Sequence, residues 1–387
     1  MSEYIHMTHG KAEQRDELIK MLDLTFGFEQ EEIKFINLLP KLYKEEYQPA
    51  ENNIILDVNG DMRAAVGVYY NTLTVADEKL RLAGIGNVGV HPEHQGKGYM
   101  QFCMLLALDE MKQNMTDIAA LGGARQRYEH FSFEPAGIQT AFRYTKNNVK
   151  RTLGADRTSK FTSRKLTEND TEIYAQMEQI YTGRIFHAER PAAMMYDILR
   201  TWHAVPYAAF DGDEFKGWFV FNRENDALYE LFCKNEEDTE DMILAALEAS
   251  GRNEIRIHAP EFETALYKYL ALNCEYFDIG HAEQFSILCY ERVLRAFLKL
   301  KASYKKLPDG EFKMLILGEK LPEQLKITVK DNNVTVEETD EKPDIILKHL
   351  EAMRLIGSHY SEMRNDIPAE CQAWFPLPIY GYGIDNV

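Results

Sequence analysis

Val88-Gly89-Val90-His91-Pro92-Glu93-His94-Gln95-Gly96-Lys97-Gly98-Tyr99-Met100 reads as a strand, a glycine-rich turn and the start of a helix. Val88 and Val90 alternate as a buried strand does, and Pro92 ends it. Gly96 and Gly98 then permit a tight turn into an apolar-periodic run over residues 99–111. The first N–H groups of such a helix have no partner within it and lie at the positive end of its dipole. The turn is therefore a cradle for a pyrophosphate. Taken alone, two glycines fit an ordinary strand-to-helix turn better, so the weight falls on what surrounds them.

The pattern V-x-V-x-P-x-x-Q-G-x-G-Y-M resembles motif A of the GNAT superfamily of acetyl-CoA-dependent N-acetyltransferases. His94-Gln95 stand at its first residue, Gly96 and Gly98 at its glycines, and Met100 where Gly or Ala is common. The bulkier Met100 leaves the N–H donors intact. The resemblance implies acetyl-CoA as co-substrate, with Val88, Gly89 and Val90 beside the pantetheine and Gln95, Gly96, Lys97, Gly98, Tyr99, Met100 and Gln101 around the pyrophosphate. Lys97 either meets a phosphate or is solvated. A backbone N–H near Val90 polarises the thioester carbonyl in this reading.

Residues 118–121 form a second short apolar strand, Gly122-Gly123-Ala124 lets it end close to another group, and residues 126–131 read as helical. The same resemblance adds Gly123 and Ala124 to the cofactor contacts and makes Tyr128 the proton donor to the departing coenzyme A thiolate. A phenol with a pKa of about 10 is protonated at neutral pH and able to give the proton up. The competing reading is a core aromatic beside Phe131 and Phe133.

Composition bounds the rest. A chain of 387 residues with 45% hydrophobic and 11% aromatic content holds packed cores, and two or three domains are expected. No apolar run reaches a membrane span and residues 1–4 lack a targeting pattern, so the cytoplasm is expected. The cysteines at 103, 233, 274, 289 and 371 are widely spaced and form no C-x-x-C pair, which fits buried free thiols. His91, His94 and His130 share no ligand spacing with nearby acids, and no metal is expected. A formal charge of −18 disfavours nucleic acid and favours positive partners: polyamines, aminoglycosides or lysine-rich peptides.

The expected architecture is α/β (α+β), with three domains. Residues 1–147 hold amphipathic helices near 12–24 and 31–43, a hairpin at Asn59-Gly60, the motif and the Tyr128 helix; residues 146–157 are polar, without periodicity, and read as a linker. Residues 158–288 partly repeat that order: a helix over 173–181, strands over 207–210, 217–221 and 227–232, then a helix over 242–249. The turn before that last helix, residues 235–241, has no glycine and five carboxylates. Like charge excludes a pyrophosphate there, so the repeat is a degenerate copy. Residues 289–387 return to a small α+β layer.

An active GNAT unit, a degenerate GNAT unit and a layer similar to a sterol-carrier-like domain together resemble the Eis (enhanced intracellular survival) family of N-acetyltransferases. That resemblance implies tandem mixed sheets flanked by helices, a homo-hexamer, and the terminal carboxylate of Val387 as proton acceptor. The family commonly ends in an aromatic residue, whereas this chain ends in Val. The tail over 375–387 is aromatic and apolar, as an ordered end is. Phe26 and Phe28 either line the acceptor site or belong to the core. The function expected is acetyl transfer from acetyl-CoA to a primary amine of a cationic acceptor, small molecule or peptide, without membrane or nucleic-acid partners. The alternatives are a protein-lysine acetyltransferase and a non-catalytic module that senses acyl-CoA or holds an apolar ligand.

Overall fold

The computed structural model describes residues 4–28, 30 and 34–387. They group into two compact units, Met1–Ala136 with Glu283–Leu377 and Asn386–Val387, and Gly137–Ala282 with Pro378–Asp385.

The first unit opens with β1 (Ile5–His9), α1 (Arg15–Phe26), α2 (Phe35–Leu38) and α3 (Pro40–Tyr43). The single helix expected over 31–43 is instead two short ones, because Pro40 has no N–H to continue α2 and Leu39 leaves helical geometry at φ −128°, ψ 62°. Residues 31–33 of that expectation lie outside the described residues. β2 (Asn53–Val58) and β3 (Asp61–Val75) meet at Asn59 and Gly60, both left-handed at φ 56° and 93°, as a tight hairpin requires. β3 continues against β4 (Glu78–Val90), where Ala65 faces Gly89 but Gly67 faces Gly86. The extra residue makes a bulge in β4, with Asn87 at φ 43°.

α4 (Tyr99–Gln113), β5 (Ile118–Leu121), α5 (Arg125–Tyr128) and β6 (Glu134–Ala136) follow. α4 buries Tyr99, Cys103, Met104, Ala107, Leu108 and Met111 at helical spacing, in one cluster with Ile54, Leu56, Val66 and Ile85. β4 and β5 run parallel, paired from Leu82–Ile118 to Ile85–Leu121.

The second unit contains β7 (Gln139–Thr145), α6 (Lys146–Thr152), β8 (Thr162–Lys165), α7 (Thr171–Thr182), β9 (Phe186–Ala188), α8 (Met195–Leu199), β10 (Val205–Asp211) and β11 (Glu214–Phe221). It continues with β12 (Ala227–Cys233), α9 (Thr239–Ser250), β13 (Glu254–Ala259), α10 (Thr264–Asn273) and β14 (Tyr276–Gly280). The expected linker begins with a helix, α6. Thr145 Oγ1 accepts the Asn148 N–H at 3.1 Å, and Asn148 Oδ1 accepts the Thr145 N–H at 2.9 Å. This reciprocal cap starts a helix that apolar periodicity does not reveal. The seven-stranded sheet runs β14-β7-β13-β12-β11-β10-β8.

The chain then returns to the first unit as β15 (Glu283–Ile287), α11 (Tyr290–Tyr304), β16 (Gly310–Leu317), β17 (Pro322–Lys330), β18 (Asn333–Glu338), β19 (Ile345–Lys348), α12 (His349–Gly357) and α13 (Ala369–Gln372). β15 lies between β5 and β6, antiparallel to both, giving the order β1-β2-β3-β4-β5-β15-β6. β7 occupies the equivalent place between β13 and β14. The chain has thus exchanged strands, and the boundaries expected at 147 and 288 do not divide it: the first unit stops at Ala136 and resumes at Glu283. The last four strands form their own sheet, β18-β17-β16-β19. This layer is tied to the rest of its unit by Arg292–Asp117 at 3.0 Å, Lys299–Glu78 at 2.8 Å and Arg354–Glu134 at 3.0 Å.

Candidate active site

The site is built where β4 and β5 part. Their pairing ends at Ile85 and Leu121, so Gly86 and Gly122 are the first residues past the fork. His91 closes β4 by donating its N–H to Arg63 O at 2.8 Å, and a single turn at Pro92–His94 leads into the glycines. Gly96 and Gly98 are left-handed, at φ 79° and 80°, and Gly98 caps the N-terminus of α4. Gln95 to Gly98 are exposed while Tyr99 is buried, so the turn that starts the helix lies at the surface. Lys97 Nζ stands 3.3 Å from His94 Nδ1 and 5.9 Å from the centre of the Tyr99 ring, on which His94 stacks. Met100 is half-buried and Gln101 exposed.

On the β5 side, Gly122, Gly123 and Ala124 are exposed. Gly123 sits at φ 144°, and a Cβ there would lie 2.5 Å from the Tyr128 ring. Only glycine lets the ring rest against the strand end. Tyr128 packs in one cluster with Phe131 and Phe133, so its ring is a core element as well. Burial pushes its phenol above the ordinary range, with the Arg127 guanidinium pulling the other way. It stays protonated at neutral pH, as a donor must.

On the β4 side, Val387 lies along a strip bare of side chains. A Cβ on Gly84 would come within 2.6 Å of its Cγ2, and one on Gly86 within 3.0 Å of its carboxyl carbon. The Tyr69 ring is 3.4 Å from that second position. The Tyr69 hydroxyl in turn joins Tyr43 at 3.2 Å, Asn87 Oδ1 at 3.1 Å and Asn53 Nδ2 at 3.3 Å, while Asn87 Nδ2 donates to Asn53 Oδ1 at 2.6 Å. This buried network holds the bulge of β4. Phe26 and Phe28 come together with Phe35 and Tyr43 in a row of rings 5.1 to 5.9 Å apart. Phe26 is 42% exposed, and its edge lies 3.4 Å from a Cβ position on Gly89. It forms an open aromatic wall beside the fork rather than sealed core.

One candidate escaped the sequence reading. Glu283, the first residue of β15, places Oε1 3.9 Å from a Cβ position on Gly122. Burial pushes its carboxyl up to about 7, against the pull of Lys41. Its neighbour Gln284 donates an amide hydrogen to Gly123 O and leaves its own buried Oε1 without a partner among the described residues. Nothing local in the sequence marks either residue, because β15 reaches the fork only through the strand exchange.

In the second unit the space past the parallel strands β12 and β13 is a cavity of about 240 Å³ lined by Arg184, Cys233, Glu236, Phe262 and Glu263. Arg184 donates to Cys233 O, at the end of β12, at 3.0 Å and pairs with Glu263 at 3.1 Å. Asp238 and Asp241, at the start of α9, are held by Lys160 at 3.3 Å and Arg157 at 2.8 Å. Among the described residues no group of three or more His, Cys, Asp or Glu is placed to hold a metal ion, and no helix is long and apolar enough to cross a membrane.

Residues 6–136 match the acetyltransferase (GNAT) domain family. The fold is similar to a GCN5-related N-acetyltransferase from Kribbella flavida, with a TM-score of 0.63 and 17% identity over 89% of this chain and 86% of that one. It is also similar to Eis1 from Mycobacterium abscessus, with a TM-score of 0.62 and 13% identity over 98% of each chain. A GCN5-related N-acetyltransferase from Anabaena variabilis gives 0.60 and 15% over 89% and 88%. No curated protein matches the sequence. The chain is a mixed α/β enzyme in which residues 6–136 match an acetyltransferase (GNAT) domain.

Proposed function

We propose that the enzyme transfers an acetyl group from acetyl-CoA to a primary amine of a cationic acceptor, directly and within a ternary complex. The observation that carries this reading is the bracketing of one strand fork by two proton-handling groups, the Tyr128 phenol beside Gly123 and the Val387 carboxyl beside Gly86. The backbone of Val88 to Val90 and the turn from Gln95 to Gln101 hold the cofactor, which supplies the activated acetyl group. Tyr128 gives its proton to the sulfur that leaves. The amine must lose a proton before or during attack, yet an α-carboxylate with a pKa of about 3.5 is a weak base for an ammonium. Burial that raises its basicity, or a relaying water, makes Val387 competent, and Glu283 adds a second carboxyl on the β5 side.

The acidic surface and the aromatic wall of Phe26 and Phe28 support cationic acceptors such as aminoglycosides or polyamines. The four-stranded C-terminal sheet with α11 and α12 supports the sterol-carrier likeness, and a cytoplasmic homo-hexamer follows from the Eis resemblance. Thiol release from acetyl-CoA over a panel of aminoglycosides, polyamines and lysine peptides tests the proposal. Turnover on multi-amine small molecules, falling at least about 100-fold in Tyr128→Phe, is the expected result. Turnover on peptides alone makes the enzyme a protein-lysine acetyltransferase. Acetyl-CoA binding without release from any acceptor overturns catalysis in favour of acyl-CoA sensing.

A further inference from the structure

The most heavily buried ionic cluster of the second unit has no part in acetyl transfer as described. Arg190 is 2% exposed and Glu230 1%. The Arg190 guanidinium grips Asp385 with both ends, Nε to Oδ1 and Nη2 to Oδ2 at 2.7 Å each, and donates from Nη1 to Glu230 Oε2 at 2.8 Å. Trp218 Nε1 donates to the other Glu230 oxygen at 2.7 Å. The Tyr181 ring lies 4.0 Å beneath the guanidinium carbon, and Tyr382 stands 5.6 Å away. Ile384, Tyr382 and Tyr380, all of the same tail, are buried.

Two charges of one sign and one of the other, taken out of water, are a poor device for stability. Apolar packing of equal volume commonly does as well or better. What such a cluster supplies is registry: a bidentate guanidinium–carboxylate pair fixes its partner in position and in angle. Asp385 is two residues before Val387, and two residues span at most about 7 Å of chain. A free chain end otherwise frays, and holding two residues still opposes about 1–2 kcal/mol of conformational entropy for each.

We infer that Arg190, braced by Glu230 and Trp218, is a positioning residue that anchors the tail at Asp385 and so presents the Val387 carboxyl at Gly86. This rests on the reading of Val387 as proton acceptor.

The test uses the full chain and two variants, Asp385→Asn and a chain lacking Val387, singly and together. Asp385→Asn leaves Arg190 and Glu230 as a neutral pair, which protects folding. Carboxypeptidase treatment followed by mass spectrometry reads the anchor without any acceptor: release of Val387 is expected to speed up at least 10-fold in Asp385→Asn. In acetyl transfer to the best amine of the panel, loss of Val387 is expected to lower kcat about 100-fold. Asp385→Asn is expected to lower it about 10-fold or more, with the dissociation constant of acetyl-CoA unchanged and no further loss in the double variant. Unchanged release of Val387 overturns the anchor. Losses that multiply in the double variant, or that come with weakened acetyl-CoA binding, overturn the positioning role and leave a structural one. A chain lacking Val387 that remains fully active overturns the proton-acceptor reading instead.

Discussion

At the scale of single residues, the chemistry of the site sits on groups whose surroundings set their protonation. Glu283 is the clearest, with a carboxyl raised by burial to about 7, against about 4.3 in an unfolded chain. Between those values the folded chain holds the extra proton. Its contribution to stability is therefore present below the unfolded value and is lost as pH rises through the folded one. Glu283→Gln removes this loss. At pH 8 the variant is expected to be more stable by about 1–2 kcal/mol after solvent screening, with the gap closing toward pH 5, as urea melts at both values would show. An equal shift at both pH values would refute the raised carboxyl. Gly86 makes a second prediction. A Cβ there meets the Val387 carboxyl carbon at 3.0 Å, so Gly86→Ala displaces that carboxyl and lowers kcat about 10- to 100-fold, while acetyl-CoA binding holds. The left-handed turn at Gly96 and Gly98 was legible in the sequence because it is written in neighbouring residues. Glu283 and Gln284 were not, since their neighbours at the fork lie some 160 positions earlier in the sequence.

At the scale of elements, the turn into α4 joins motif to geometry. Gly98 is left-handed at φ 80°, yet a Cβ there meets nothing within 4 Å. Its glycine is required by backbone conformation alone. Gly98→Val is expected to cost about 1–2 kcal/mol and to raise the acetyl-CoA KM about 10-fold, whereas Gly98→Asn, which tolerates that conformation, keeps most of both. Melting curves and KM for the pair check this, and equal damage from both would point to a steric cause instead. The hairpin at Asn59-Gly60 and the strands of the last layer followed from turn residues and alternation. α6 and the break between α2 and α3 followed from a side-chain cap and a proline, signals that periodicity does not carry. The exchange of β7 and β15 left no trace, because both alternate apolar residues and either fits the same slot between two antiparallel neighbours.

At the scale of the whole molecule, charge and connectivity make their own demands. With a formal charge of −18, the enzyme would draw the cationic acceptors proposed above by a long-range field that salt screens. The acceptor KM is expected to rise several-fold between roughly 20 and 300 mM salt while kcat holds, and an acceptor KM indifferent to salt would remove the electrostatic argument. Connectivity predicts that residues 1–147 do not fold alone. That fragment contains β5 and β6 but not β15, which joins them, and it should give poorly dispersed amide resonances or aggregate.

The exchange also sets a timetable for synthesis. β5 ends at Leu121 and the strand that pairs with it begins at Glu283. At about 5–20 residues per second, the ribosome leaves that open edge waiting for roughly 10–30 s. An unpaired strand edge is a template for other chains. A nascent chain of this enzyme is therefore most exposed to aggregation between the completion of α5 and the emergence of β15, the interval in which a chaperone has something to hold.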